Sequence, residues 1–218
     1  MPRTYVALDL EFTGLDPRQD EIIEVGLVQF RGSEVLETFG SLVHAKRRIP
    51  QKIQNLLGIS QADVDHAPPM SSLVGKILAL ARSHPLVGHS IEMDLRFLNR
   101  ERRLLSNLAI DTFELATIFM PEAKRYGLAD LAEMLGIDAR RNHRALDDAL
   151  TTKELFLRLV QRASEWDPAL LEEITRLAAS SNWPLLRVFR DIVAERGNGR
   201  DASLLVSQKA RPHSGALI

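Results

Sequence analysis

Thr4-Tyr5-Val6-Ala7-Leu8-Asp9-Leu10-Glu11-Phe12 decides how this chain is read, because it is an apolar, strand-forming run interrupted by carboxylates at alternate positions. Successive side chains of a strand point to opposite faces, so Asp9 and Glu11 leave the same face of a sheet. Two carboxylates side by side at the end of a buried strand repel, and a hard divalent cation such as magnesium offsets that cost. Two further strand-like runs follow at 22–30 (IIEVGLVQF) and 34–43, set off by the turn-prone stretches 13–20 and Arg31-Gly32-Ser33. The three read as consecutive strands of a meander. The apolar spacing then turns helical over 70–81, 94–104, 112–120, 128–135 and 145–160, with short apolar runs at 85–87 and 108–110 that read as two more strands, each followed by a helix. Strands grouped before alternating strand and helix units imply an α/β layer fold on a mixed sheet.

A boundary falls near 164–167, where Asp167-Pro168 has the form of a helix start, a capping carboxylate followed by proline. Leu170, Leu171, Ile174 and Leu177, then Leu185, Leu186, Phe189, Ile192 and Val193, repeat at helical spacing. The expected organisation is a main domain over 1–165, a small helical extension over 166–196 and a flexible tail or linker over 197–218. The extension is nearly neutral and reads as a docking or connecting element.

The chain has 218 residues, 45% hydrophobic and 26% charged, which is ordinary globular usage. It contains no cysteine, so disulfides, thiolate zinc sites and cysteine nucleophiles are excluded, and any metal binds through oxygen or imidazole. Its apolar runs fall far short of the ~20 residues that span a bilayer. No secretory segment precedes the first strand, so no membrane association and a cytoplasmic location are expected. A formal net charge of −1 lacks the positive field of a passive nucleic-acid coat, so a nucleic-acid partner would be held locally.

Two more segments carry chemistry. In 87–98 (VGHSIEMDLRFL) a short strand turns into a helix with Asp94 near its first turn; read alone, Asp94 is a capping or helix-dipole charge and His89 a structural or solvated turn residue. In 142–149 (NHRALDDA) His143 precedes a long helix, and His143 and Asp148 can face one site from its N-terminal end. Asp147 is turned aside by the 100° that one helical residue adds, so Asp148 is the candidate ligand and Asp147 a surface or capping residue.

Together, Asp9-x-Glu11 with Thr13-Gly14-Leu15-Asp16, Gly88-His89-Ser90 with Asp94 and Phe97-Leu98, and His143-x-Ala145-x-x-Asp148 resemble the three exonuclease motifs of the DnaQ-like family, in its DEDDh branch. Asp111-Thr112 before a helix and Tyr126-Gly127-Leu128 through Leu135-Gly136-Ile137 resemble it too, and the resemblance covers roughly residues 4–160. It implies an RNase H-like fold and a two-metal 3'-5' exonuclease, with two divalent cations, Mg2+ or Mn2+. In that scheme Asp9 bridges both cations, Glu11 and Asp148 complete the site that activates water, Asp94 supports the second cation, and His143 takes the water's proton. The family's substrate segment carries over onto Thr13, Gly14 and Leu15, with Phe97 and His89 as further candidates for touching the strand; for Leu15 and Phe97 core packing is an equal reading. Ser90 departs from the asparagine common at its position, which leaves a hydrogen bond there open.

Basic clusters at Lys46-Arg47-Arg48, at Arg100 with Arg102-Arg103, and at Arg140-Arg141 with Arg144 could track phosphates, although such runs more often form a solvated face; Arg144, beside His143, is the foremost candidate. The expected substrate is the 3' end of single-stranded DNA, in proofreading or repair, with RNA or tRNA 3' ends and a catalytically silent end-binding scaffold as alternatives. The complete set Asp9, Glu11, Asp94, His143 and Asp148 argues against the scaffold. A polymerase or a helicase is a candidate partner: the sequence offers no clamp-binding peptide, which argues against a polymerase subunit, and similar modules begin DinG-like helicases.

Overall fold

The structure, a computed structural model, describes residues 3–100, 105–138 and 143–197. Strands β1 (Thr4–Phe12), β2 (Ile22–Arg31) and β3 (Glu34–Leu42) form the antiparallel meander, and β4 (Leu86–Gly88) and β5 (Ala109–Asp111) add to β1 in parallel. The sheet order is β3-β2-β1-β4-β5, which makes β1 central. Helices α1 (Gln51–Leu57), α2 (Gln61–Asp65) and α3 (Met70–Ala81) lie between β3 and β4, and α4 (Glu92–Leu98) joins β4 to β5. After β5 come α5 (Thr112–Phe119), α6 (Leu128–Met134), α7 (Ala145–Ser164), α8 (Pro168–Leu177) and α9 (Leu186–Gly197). The short α2 has no counterpart in the periodicity; it forms on a capping box in which Ser60 and Asp63 satisfy each other's backbone amides.

Strand parity divides the core in two. Tyr5, Ala7, Val28, Phe30, Val87 and Ile110 face α5 and α7, whereas Val6, Leu8, Leu10, Val25, Leu27 and Leu86 face α3 and α4. The rows on the α7 face pair across strands as Tyr5 with Phe30, Ala7 with Val28, Asp9 with Gly26 and Glu11 with Glu24. One sheet face therefore changes from apolar to acidic along its length, and the acidic end is where α4 and α7 begin.

Two helix ends differ from expectation by more than two residues. The helix expected over 94–104 stops at Leu98, because the Asn99 side chain brackets Leu105: Oδ1 accepts its N–H at 2.8 Å and Nδ2 donates to its carbonyl at 2.9 Å. Helix α7 continues past 160 to Ser164, since Ala163 is buried in the core.

The helical extension is not separate from this core. Leu171, Leu185, Val188, Phe189 and Ile192 are buried in the same cluster as Tyr5 and Phe156. Ring centroids of Phe119 lie 5.1 Å from Trp166 and 5.6 Å from Phe189. Asp191 accepts the Tyr5 hydroxyl at 2.9 Å and Arg3 Nε at 3.0 Å, tying α9 to the start of β1. The expected tail after Gly197 and the basic residues Arg102, Arg103, Arg140 and Arg141 lie outside the described residues. Among the described residues no helix is long and apolar enough to cross a membrane.

Candidate active site

Asp9, Glu11, Asp94, His143 and Asp148 line one open cleft of about 450 Å³. Three elements deliver them. Strand β1 presents Asp9 and Glu11 by continuing the row Tyr5–Ala7, α4 presents Asp94 from its first turn, and α7 presents Asp148 just after its start. His143 precedes α7 with φ of 67°, a left-handed turn, and its backbone N–H donates to Asp148 Oδ2 at 2.9 Å. Donor atoms of Glu11, His143 and Asp148 all lie within 4.8 Å of one another. Asp147 lines a different hollow, beside Thr151 and Lys153, as the rotation between neighbouring helical residues requires.

The electrostatics are those of a crowded, buried acidic cluster. Burial, followed by repulsion from Asp148 and Glu24, pushes the Glu11 carboxyl up to about 8. Asp9 is held well above the ordinary carboxylate range by burial and then by Asp94 and Asp148. Asp94 is raised by burial, partly offset by backbone amides that include that of Leu10, and Asp148 is raised by burial against the opposing hydrogen bond from His143. Oxygen donors crowded in this way fit hard divalent cations, with His143 as a nitrogen donor or proton acceptor at the rim.

The substrate-contact candidates separate. Thr13 is buried, its hydroxyl donating to Asp20 Oδ1 at 3.1 Å and accepting the Glu21 N–H at 3.0 Å. Gly14 passes beneath the Asp20 carboxylate, where a Cβ would come within 2.5 Å, so Thr13 and Gly14 shape the loop that leaves Leu15 75% exposed. Arg47 and Arg100 donate to backbone carbonyls of the same loop, at Gln19 and at Arg18 and Asp20 respectively. Phe97 is only 5% exposed and stacks on Phe12 with centroids 4.0 Å apart, a packing role. Both His89 ring nitrogens are engaged inside the protein, Nε2 donating to the Tyr126 carbonyl at 2.8 Å and Nδ1 meeting Thr112 Oγ1 at 3.0 Å. Burial holds this imidazole below its usual range, against the hydrogen bond to Tyr126. The Arg144 guanidinium, expected on a phosphate, is bound to Glu24 instead. Ser90 has φ of 61°, a left-handed conformation that asparagine tolerates better than serine.

Glu24 is the residue sequence reasoning missed. Its signal was its parity in IIEVGLVQF, which sets a carboxylate in the row that continues through Gly26, Val28 and Phe30 on the buried α7 face.

With this geometry the chain is a hydrolase acting on phosphodiesters: the exonuclease family (RNase_T) matches residues 6–156, and the chain belongs to it, as the DnaQ-like resemblance implied. It is 32% identical over 163 residues to the DNA polymerase III subunit epsilon of Aquifex aeolicus, covering 72% of this chain and 81% of that protein. The PolC-type DNA polymerase III of Thermotoga maritima is 32% identical over 191 residues, and the 3'-5' exonuclease DinG of Staphylococcus aureus (strain USA300) 28% over 197. Those matches cover 85% and 88% of this chain but only 14% and 22% of the relatives. The solved structure of exonuclease X in complex with 5' overhanging duplex DNA shares the fold, with a TM-score of 0.61 and 22% identity over 75% of this chain and 93% of that one. The mixed five-stranded sheet flanked by helices is thus the RNase H-like architecture expected.

Proposed function

We propose that this chain removes nucleotides from the 3' end of single-stranded DNA with the help of two divalent cations, magnesium or manganese, in proofreading or repair. The observation that carries the reading is the convergence of Asp9, Glu11, Asp94, His143 and Asp148, from three distant segments, on one cleft. Its relatives include a polymerase subunit and a protein named as a 3'-5' exonuclease, which supports the direction of attack and a replication or repair setting.

When bound, the cations supply positive charge to the attacking and leaving oxygens of the displacement and lower the pKa of water. The chain's own residues do the rest. Asp9 and Glu11, fixed by the central strand, and Asp94 and Asp148, fixed by helix starts, hold the cations in a constant frame, so little reorganisation is needed during reaction. His143 stands exposed at the rim beside Glu11 and Asp148, where its imidazole receives the proton of the attacking water. The exposed Leu15, next to the tightly bonded Thr13–Asp20 loop, offers an apolar surface to the terminal base.

The test is a gel assay of 5'-labelled single-stranded DNA and matched RNA, in magnesium, manganese or chelator, with wild type, Asp9→Ala and His143→Ala. The expected result is a descending ladder on DNA that disappears in chelator and in both variants. Faster loss of RNA would move the substrate to RNA 3' ends. Intact nucleic acid in every lane with folded protein would refute the hydrolytic reading.

A further inference from the structure

Glu24 stands 4% exposed on β2, directly opposite Glu11 in the β1–β2 register. Among the described residues it forms an ion pair, which the cleft carboxylates do not. Arg144 Nε lies 3.0 and 3.1 Å from its two oxygens, Arg144 Nη2 lies 2.7 Å from Oε1, and the Ala145 N–H donates to Oε2 at 3.2 Å. Arg144 is the residue before the first turn of α7 and its side chain does not cap the helix. The cap comes from across the sheet instead, with Glu24 accepting one of the amides that a helix start leaves unpaired.

Two residues along the same row, Gly26 lies opposite Asp9. A Cβ there would fall 2.2 Å from the carbonyl carbon and oxygen of Ala145 and 2.4 Å from Leu146 N, a collision with backbone that has no flexible end to yield. Gly40, opposite Gly26 on β3, leaves room for the Leu146 side chain, 3.1 Å from where its own Cβ would be. The first peptides of α7 are thus seated on bare strand backbone and held there by a forked ion pair. His143 and Asp148 flank this joint and are bonded to each other.

We infer that Glu24, Arg144 and Gly26 are positioning residues, a latch that fixes the start of α7 against β2 and so holds His143 and Asp148 over Asp9 and Glu11. Arg144 acts through Glu24 and not on a phosphate. The inference rests on the hydrolytic reading above, and it adds residues that touch neither metal nor substrate.

Steady-state kinetics on labelled single-stranded DNA at several salt concentrations test it, using Glu24→Gln, Arg144→Lys and Gly26→Ala, with thermal melts to establish folding. The expected result is a fall in kcat of roughly 10- to 100-fold in each variant, because misplacing a reacting group by about 1 Å costs rate on that scale. KM and the salt dependence of kcat/KM stay at wild-type values. A phosphate contact behaves oppositely: Arg144→Lys, which keeps the charge and loses only the fork, would retain kcat, and Glu24→Gln would be silent. Wild-type kcat in Glu24→Gln and Arg144→Lys overturns the latch. If wild type degrades neither nucleic acid, the hydrolytic reading fails and the latch is judged by manganese binding in Gly26→Ala, which alters no charge. Affinity reduced about tenfold or more in a cooperatively folding variant supports the latch, and wild-type affinity overturns it. Should Gly26→Ala not fold, Glu24→Asp, which keeps the charge but shortens the reach, replaces it under the same criterion.

Discussion

Raising the pH of the metal-free protein from about 5 to about 8 will destabilise it, and magnesium will cancel most of the loss. Asp9, Glu11, Asp94 and Asp148 all titrate above their ordinary range in the folded chain. Between their unfolded and folded values the native state therefore holds protons that the unfolded chain has released. Stability is complete below the unfolded values and declines as pH rises through the folded ones. For Glu11 the interval runs from 4.5 to about 8. At about 1.4 kcal/mol per pH unit this is on the order of 5 kcal/mol, which solvent on the open side of the cleft screens to on the order of 3 kcal/mol. For a chain of this size, about 2–4 °C per kcal/mol makes the expected fall in melting temperature roughly 6–12 °C. His84 and His89, held low by burial, oppose the trend near neutrality, but they are two imidazoles against four carboxylates. The assay is a thermal melt followed by circular dichroism across this pH range, in chelator and in excess magnesium. In chelator Glu11→Gln should flatten the pH dependence and melt higher than wild type near pH 8. A melting temperature in chelator that is constant or rises with pH would refute the reasoning.

Phe189→Ala removes a ring packed between Phe119 and Trp183 at the heart of the α9 contact. It should cost about 3–5 kcal/mol in chemical denaturation, and a loss under 1 kcal/mol would mean that α9 is not integral to the core. Ser90→Asn relieves a left-handed backbone and should raise stability by about 0.5 kcal/mol in the same experiment, without loss of the Ser90 N–H bond to Asp111. Above about pH 10 an exposed tyrosine ionises, whereas burial and Asp191 keep the Tyr5 proton in place. The unfolded state alone then gains from ionisation, so stability should fall with rising pH there, and Tyr5→Phe should remove that part of the fall.

What was legible in the chain follows from the range of each interaction. The apolar alternation of β1, β2 and β3, the helical spacing of α3 and α7 and the Asp167-Pro168 start of α8 are local signals, and the structure contains each of those elements. The parity of Asp9 and Glu11 and the rotation that separates Asp147 from Asp148 are local too, because backbone geometry alone sets them. The sequence by itself therefore determined the order of the strands and of the longer helices, and it named Asp9, Glu11, Asp94, His143 and Asp148 as the candidate set. Only the tertiary structure decided what the remaining polar groups do. Arg144 has a carboxylate partner 120 residues away, His89 has a carbonyl partner 37 residues away, and Phe97 has its ring on Phe12. Nothing in the neighbourhood of these residues along the chain distinguishes a side chain facing substrate from one closing an internal bond. The helical extension shows the same limit: its amphipathic pattern announced a buried face, and the partner of that face, Phe119 and Tyr5 beneath α9, existed only once the sheet had brought the two ends of the chain together.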